Sequence, residues 1–195
     1  MIVFIDRQHA GKPSKINDRG ASRDINGDGQ ITAEELEAIW TARIAINLEI
    51  RLLDMGISVM PISDGTYSKR HERVNQYADM HPGPWVYLAM HLNSGGGNYG
   101  SYFYDYRSTK GQQLATIMAN KLNEDVAAIE RTKAIRSCKD DWTKNAYYTI
   151  RNVGKPVAIC CEPFFMDTHQ SLLSMDGVFK VAGSMARAIK VWRDL

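Results

Sequence analysis

The sequence predicts one α/β domain spanning residues 1–195, with a mostly parallel sheet of about five or six strands and helices on both faces. Two observations lead to this prediction. Short, continuously apolar runs alternate along the chain with longer segments whose apolar residues recur at helical spacing. The apolar runs also lack the polar alternation of a half-exposed strand, which is typical of strands buried on both faces. A chain of 195 residues is long enough to bury such a core.

Five apolar runs are predicted to be strands: residues 2–6, 57–62, 85–91, 101–106 and 156–162. The first places four apolar residues ahead of Asp6, and the third, WVYLAMH, is apolar almost throughout. The fourth, SYFYDY, is rich in aromatic residues, which favour strands. The last contains Cys160 and Cys161, which we interpret as small buried hydrophobic residues.

Helices are predicted between these strands, at residues 33–55, 69–80, 110–128, 147–153 and 176–193. In the first of them Trp40, Ile44, Leu48 and Leu52 recur at helical spacing, and Gly56 is a typical helix stop. The sequence HPGP ends the second helix, and Asp176 is expected to cap the last one. Residues 131–145 are polar and are predicted to form a loop or lid.

Composition excludes several classes of protein. A net charge of +2 and a pI near 8.4 are too weakly basic to indicate nucleic-acid binding. No apolar run approaches the roughly 18 residues that a membrane span needs. The start MIVFIDRQH lacks the basic residues and long apolar core of a signal peptide, so synthesis in the cytoplasm is expected. Three cysteines without CxxC spacing argue against a disulfide framework and against a thiolate zinc site.

Residues 24–35, DINGDGQITAEE, match the twelve-residue calcium loop of EF-hands. The predicted calcium ligands are Asp24, Asn26, Asp28, Thr32 and Glu35 through side chains, and Gln30 through its carbonyl. Gly29 permits the sharp turn at the loop's sixth position. The alternative is a polar turn ahead of a helix capped by Thr32 and Glu35. Since only the exiting helix is present, we expect a structural calcium rather than a switch.

Two histidines stand at matching places in the predicted sheet. His9 follows the first strand, and His91 ends the third. The carboxyl ends of parallel strands meet at one edge, where such folds bind ligands. Zinc hydrolases typically use three His, Asp or Glu ligands and leave one position for water. From the residues alone, both a zinc site and two structural histidines remain open.

With these motifs in place, the chain resembles the zinc-dependent N-acetylmuramoyl-L-alanine amidases of the amidase 3 type. FIDRQHAGKP and NDRGA are similar to that family's first strand with its HGG-like turn and to its DPGA segment. YLAMHLN is similar to the strand ending in SxHxN, and PVAICCEPFF to the segment PAVLVExGF. The similarity covers nearly the whole chain in the same order. The chain departs from the family at Ala10, at Arg19 and in the calcium loop, which is an insertion.

The resemblance implies zinc ligands His9, Glu37 and His91, with Glu162 as the catalytic glutamate. We expect the pKa of Glu162 to be raised by desolvation against the aromatic residues that follow it. Its alternative role is a strand-end carboxylate paired with a loop arginine.

The inserted loop leaves more than one candidate for the glutamate ligand. Glu35 is assigned to calcium, and counting back from the helix stop at Gly56 favours Glu37. Glu34 remains the alternative.

The function that the resemblance implies is hydrolysis of the amide between N-acetylmuramic acid and L-alanine in peptidoglycan, with one catalytic zinc and one structural calcium. The expected setting is a monomeric phage endolysin, made in the host bacterial cytoplasm and released to the cell wall by a holin-type partner. The alternatives are a bacterial autolysin domain and a zinc peptidase that cuts within the stem peptide. A calcium-dependent wall-binding module without catalysis is the alternative from another class.

Overall fold

The computed structural model describes residues 1–9, 20–22, 24, 28–136 and 145–195. Six strands are present: β1 Ile2–Arg7, β2 Ser58–Ile62, β3 Trp85–Met90, β4 Gly100–Tyr104, β5 Thr132–Arg136 and β6 Val157–Glu162. Five α-helices accompany them: α1 Glu37–Asp54, α2 Tyr67–Met80, α3 Thr109–Asp125, α4 Asn145–Arg151 and α5 Met175–Arg193. Short 3-10 turns lie at Ala33–Glu35 and Gln170–Leu172.

The strands form one sheet in the order β2-β1-β3-β6-β4-β5. All neighbouring pairs are parallel except β4 and β6, which are antiparallel. The ends of β1, β3 and β6 therefore lie at the same edge as the starts of β4 and β5, and we call this the upper edge. The predicted single-domain α/β architecture with a mostly parallel sheet is confirmed.

Helices cover both faces of the sheet, because successive strand residues point to opposite sides. Val3 and Ile5 belong to a core cluster with residues of α1, α3 and α5, whereas Phe4 packs in a second cluster with residues of α2 and α4. Cys161 and Cys160 divide between the two clusters in the same way and are fully buried, as predicted. Cys138 lies outside the described residues. None of the described helices combines the length and apolar character that crossing a bilayer requires.

The structure corrects the prediction for residues 131–145. They were expected to be a loop, but Thr132–Arg136 form β5 at the end of the sheet. Thr132 is buried against the core while Lys133 is exposed. A strand that is covered on one face only carries polar residues on its other face. In a segment of five residues, such a mixed sequence cannot be distinguished from that of a polar loop.

Two predicted helix starts are also wrong. The first helix begins at Glu37, because Leu36 is extended and bridges Ser22 in antiparallel fashion. The 3-10 turn Ala33–Glu35 is thus separate from α1. The last helix is capped by the Ser174 hydroxyl, which accepts a hydrogen bond from the Gly177 amide, while Asp176 lies in its first turn.

A buried arginine ties the end of β1 to the segment that precedes α2. The Arg70 side chain is fully buried, and its Nη1 donates to Asp6 Oδ1 at 2.7 Å. Nη1 also lies 3.2 Å from the carbonyl oxygens of Arg7 and Gln8, and Nε donates to the Gly65 carbonyl at 3.1 Å. The backbone just before His9 therefore rests on a guanidinium whose charge is met by a buried carboxylate.

Replacing this guanidinium should destabilise the fold strongly. Arg70→Met leaves the Asp6 carboxylate buried without its cation, which typically costs about 3–5 kcal/mol. Urea denaturation followed by circular dichroism measures the loss. Arg73→Met, one turn later on the exposed side of α2, should change the free energy of unfolding by less than about 0.5 kcal/mol. Equal stability of the two variants would contradict the structural role of Arg70.

Candidate metal centre

Three side chains from three segments meet at the upper edge. His9 follows β1, His91 follows β3, and Glu37 is the first residue of α1. Because β1 and β3 are parallel neighbours with Arg7 opposite Met90, the residues after each strand emerge side by side. The two histidines and Glu37 form a group able to hold a metal ion.

The donor atoms are spaced as a tetrahedral metal site requires. His9 Nε2 lies 3.0 Å from His91 Nδ1 and 3.1 Å from Glu37 Oε1. His91 Nδ1 lies 3.2 Å from the same Glu37 oxygen. Metal–donor distances of about 2.0–2.1 Å in a tetrahedral zinc site put the donors about 3.3 Å apart. Two nitrogens and one carboxylate oxygen fit a zinc ion and leave a fourth position open, as catalytic zinc sites do.

Glu37 is held by backbone donors as well as by the histidines. Its Oε1 accepts from the Leu92 amide at 2.9 Å, and its Oε2 accepts from the Ala21 amide at 2.6 Å. Burial alone would raise the pKa of this carboxyl, but its hydrogen bonds with His9 and His91 lower the pKa well below the ordinary value. Glu37 is therefore ionised, which is the form that binds a metal.

The geometry separates Glu37 from Glu35 as a candidate metal ligand. Glu37 lies within the donor cluster, whereas the Glu35 carboxylate accepts from the Thr32 amide at 2.7 Å and from its hydroxyl at 3.0 Å. The side chain of Glu34 lies outside the described residues.

Glu162 ends β6, the strand next to β3, and so also reaches the upper edge. Burial raises the pKa of its carboxyl; the nearby His91 works against this rise and the Glu37 carboxylate adds to it. Among the described residues Glu162 forms no ion pair with an arginine, which was its alternative role. It is a carboxyl group with raised proton affinity beside the donor cluster.

Asn93 is a site residue to which sequence analysis assigned no role. Its Nδ2 donates to Glu162 Oε2 at 2.6 Å. Its own backbone is fixed by hydrogen bonds from its amide to the Phe164 carbonyl at 3.0 Å and from the Met166 amide to its carbonyl at 2.9 Å. The sequence YLAMHLN does place this asparagine two residues after His91. Its hydrogen-bond partner, Glu162, lies 69 residues further along the chain, so the contact could not be predicted from the sequence.

The glycine-rich loop after Asn93 is fastened beside the cluster. Asp167 Oδ2 accepts from the amides of Gly95 and Gly96, each at 2.9 Å. His169 is buried, and its Nε2 lies 3.0 Å from Asn98 Oδ1. This histidine thus contacts the loop through Asn98.

The remaining histidines stand apart from the donor cluster. His71 is buried against Tyr87 and Tyr148, and burial, aided by the Arg70 charge, lowers its pKa to about 4. His81 is exposed and contacts the ring of Tyr77.

In the described part of the expected calcium loop, the aspartate side chains accept hydrogen bonds from backbone amides of the same loop. Asp24 accepts from the Asp28 amide at 3.1 Å and from the Gly29 amide at 2.7 Å, and Asp28 accepts from the Gln30 amide at 2.8 Å. Thr32 is the N-cap of the 3-10 turn, whereas the capping alternative placed it at the start of the long helix, which begins only at Glu37. Asn26 lies outside the described residues. Among those described, the loop carboxylates do not gather into a group of three metal donors.

The sequence matches no protein-family model and no curated protein. Solved structures of the same shape do exist. The chain superimposes on N-acetylmuramoyl-L-alanine amidase AmiC2 of Nostoc punctiforme with a TM-score of 0.72 at 20% identity, over 100% of this chain and 98% of the other. Cwp6 from Clostridium difficile gives 0.75 at 22% identity, over 97% of this chain and 28% of the other.

The catalytic domain of the CD27L endolysin targeting Clostridia Difficile gives a TM-score of 0.65 at 20% identity, covering 97% of this chain and 96% of that domain. At such identities the likeness establishes the fold. The chain therefore has the fold of solved N-acetylmuramoyl-L-alanine amidases, with three metal donors and a carboxyl of raised pKa at one edge of its sheet.

Gly20 provides a test of the geometry around Glu37. Its φ is +74°, and a β-carbon there would clash with Glu37 Oε2. Gly20→Ala should displace the carboxylate and weaken zinc affinity by about 10–100-fold, as loss of support around a ligand typically does. Competition with a chromophoric chelator measures the affinity.

Gly56→Ala is the matched control, because Gly56 has a φ of +69° but open space around its β-carbon position. Both variants carry a backbone cost of about 1–2 kcal/mol, so stability should fall in each. Zinc affinity should fall only in Gly20→Ala, and an equal affinity in both variants would refute the arrangement.

Proposed function

We propose that this chain is a zinc-dependent hydrolase that cleaves the amide between N-acetylmuramic acid and L-alanine in peptidoglycan. The observation that carries the proposal is the meeting of His9, Glu37 and His91 donors beside the Glu162 carboxyl. Its support is the fold, since the solved structures of similar shape include N-acetylmuramoyl-L-alanine amidases.

His9, Glu37 and His91 would hold the zinc ion, in agreement with their spacing of 3.0–3.2 Å. When bound, zinc would supply Lewis acidity toward the scissile carbonyl and the attacking water. The buried Glu37 carboxylate would neutralise part of the ion's charge, and the backbone amides of Ala21 and Leu92 keep its oxygens in place.

Glu162 would serve as the general base and then as the general acid. Its carboxylate takes a proton from the attacking water as the new carbon–oxygen bond forms. It then gives the proton to the L-alanine nitrogen as the carbon–nitrogen bond breaks, so the two steps return it to its starting state. A raised pKa suits this exchange, because it makes the carboxylate a better proton acceptor than an ordinary glutamate. Asn93 holds Oε2 and so orients the carboxylate.

The proposed setting is lysis of a bacterial host by a phage endolysin. In this setting the protein is a monomer made in the host cytoplasm, and a holin-type partner lets it reach the wall. The likeness to the catalytic domain of the CD27L endolysin supports this choice. The likeness to AmiC2 favours the alternative of a bacterial wall enzyme.

A structural calcium in the loop 24–35 is a separate part of the proposal. Its support is the sequence match together with the described backbone, in which Asp24 accepts from the amides of the fifth and sixth loop residues. The ion would be held by Asp24, Asn26, Asp28, Thr32 and Glu35 through side chains and by Gln30 through its carbonyl. It would steady the segment that leads into Glu37.

Exchanging the catalytic carboxyl tests the enzymatic proposal. Glu162→Gln should lower turnover of purified peptidoglycan by at least about 10²-fold, since it removes the proton acceptor while keeping the shape. Mass spectrometry of the digest should show free stem peptides beginning with L-alanine for the unaltered protein. Glu124→Gln, on the exposed side of α3, is the matched control and should digest normally.

Two outcomes of that digest speak against the proposal. Fragments cut inside the stem peptide would make the protein a peptidase with the same metal centre. Undigested peptidoglycan with zinc-loaded, unaltered protein would refute hydrolysis and favour a wall-binding module.

Removing calcium should lower the melting temperature without affecting zinc content. A ligand at about 100 times its Kd stabilises the folded state by about 2.7 kcal/mol, and a calcium-selective chelator abolishes this term. Scanning calorimetry with and without added calcium measures the shift. Asp24→Ala should lose the calcium-dependent shift, while Asp54→Ala, an exposed residue at the end of α1, should keep it. If added calcium leaves the melting temperature of the unaltered protein unchanged, this part of the proposal is wrong.

A further inference from the structure

We propose that Lys133 determines substrate specificity by binding a carboxylate of the stem peptide close to the scissile amide. This inference rests on the proposed function, because it assigns a partner for one group of the same substrate. Sequence analysis placed Lys133 in a polar loop. The structure instead places it in β5, whose start lies at the upper edge near Glu162.

The sheet register places Lys133 in one row with the catalytic carboxyl. Ser101 of β4 pairs with Glu162 of β6 on one side and with Lys133 of β5 on the other. Residues paired across neighbouring strands point to the same face of a sheet. Two strand spacings of about 4.8 Å put the Lys133 Cα about 10 Å from the Glu162 Cα.

An aromatic platform connects the ammonium group to the site. Lys133 Nζ lies 5.2 Å from the centre of the Tyr99 ring, a cation–π distance. The Tyr99 ring meets the Phe165 ring edge to face, with centroids 5.0 Å apart. Phe165 follows Glu162 by three residues and is buried, so this platform extends from the catalytic strand to the lysine.

The charge of Lys133 is available for a ligand. Within the described ranges it forms no ion pair, and neither does Arg131, its exposed neighbour two residues earlier. Four other lysines have carboxylate partners: Lys121 with Glu124, Lys155 with Asp79, Lys180 with Asp176 and Lys190 with Asp194. Among the described residues, the exposed Lys69 and Lys110 share with Lys133 the lack of an ion pair, but Lys69 lies in α2, which follows β2 at the opposite side of the sheet, and Lys110 lies beyond the lower end of β4. Within the part of the chain that the structure describes, Lys133 and Arg131 are thus two cations without an ion pair at the upper edge, which favours an anionic ligand there.

The spacing fits a carboxylate one or two residues beyond the scissile amide. An extended peptide advances about 3.3–3.6 Å per residue, so the second and third residues of a stem peptide lie about 7–10 Å from the cleaved bond. The second residue of many stem peptides is D-glutamate, whose α-carboxyl is free in some cell walls and amidated in others. Lys133 would favour the free carboxylate.

The experiment removes the Lys133 charge from the enzyme and the carboxylate charge from the substrate, separately and together. N-acetylmuramoyl-L-alanyl-D-glutamate and its α-carboxamide are hydrolysed by the zinc-loaded unaltered protein, by Lys133→Met and by Lys110→Met. Lys110 is an exposed lysine in the first turn of α3, beyond the other end of β4, and serves as the matched control.

Lys133→Met should raise KM for the carboxylate substrate about fivefold, as expected for one exposed ion pair, and leave kcat unchanged. KM for the carboxamide should stay the same, and Lys110→Met should behave as the unaltered protein with both substrates. Isothermal titration in a Glu162→Gln background gives the same comparison without turnover, and the fivefold difference in Kd should shrink as salt is added.

Equal effects of Lys133→Met on both substrates would overturn the inference while leaving the amidase proposal intact. A failure of the unaltered protein to hydrolyse either substrate, together with intact peptidoglycan in the digest above, is instead the failure of the proposed function. The two results are therefore distinguishable.

Discussion

The upper edge depends on the buried carboxylate of Glu37, which joins otherwise separate segments of the chain. Its two oxygens contact the imidazoles of His9 and His91 and the amides of Ala21 and Leu92. Because Glu37 is the first residue of α1, the partial positive charge of the helix start also favours its ionised form. These contacts offset the desolvation of a buried anion. The same carboxylate thus holds the two histidine donors and the segment around Ala21 in one place.

A second buried charge, the guanidinium of Arg70, fixes the backbone that precedes His9. Arg70 binds Asp6 and the carbonyls of Arg7 and Gln8, and the Tyr87 hydroxyl donates to the other oxygen of Asp6 at 2.6 Å. The residues just before His9 are therefore fixed by β1 pairing and by a guanidinium from α2. A ligand at the end of a strand needs such support, because a displacement of about 1 Å is enough to spoil a catalytic geometry.

The sequence predicted the elements in which burial produces a regular pattern of apolar residues. Strands covered on both faces are continuously apolar, so β1, β3 and β6 were predicted, and with them the positions of His9, His91 and Glu162 at strand ends. Features that depend on distant partners were not predicted. The polar β5 becomes a strand because β4 offers it an unpaired edge. Arg70 resembles an ordinary surface arginine, because its buried partner Asp6 lies 64 residues away.

The reversal of β4 explains how the site acquires its outer rim. If β4 ran parallel to β6, its carboxyl end would be at the upper edge and the segment before it would be at the lower one. Running antiparallel, it brings its own start there instead, and β5, parallel to β4, brings its start as well. The glycine-rich loop before β4 and the basic start of β5 thus flank Glu162, although neither follows a strand of the parallel core. Side chains can therefore change in these two segments without disturbing the strand ends that position His9, His91 and Glu162.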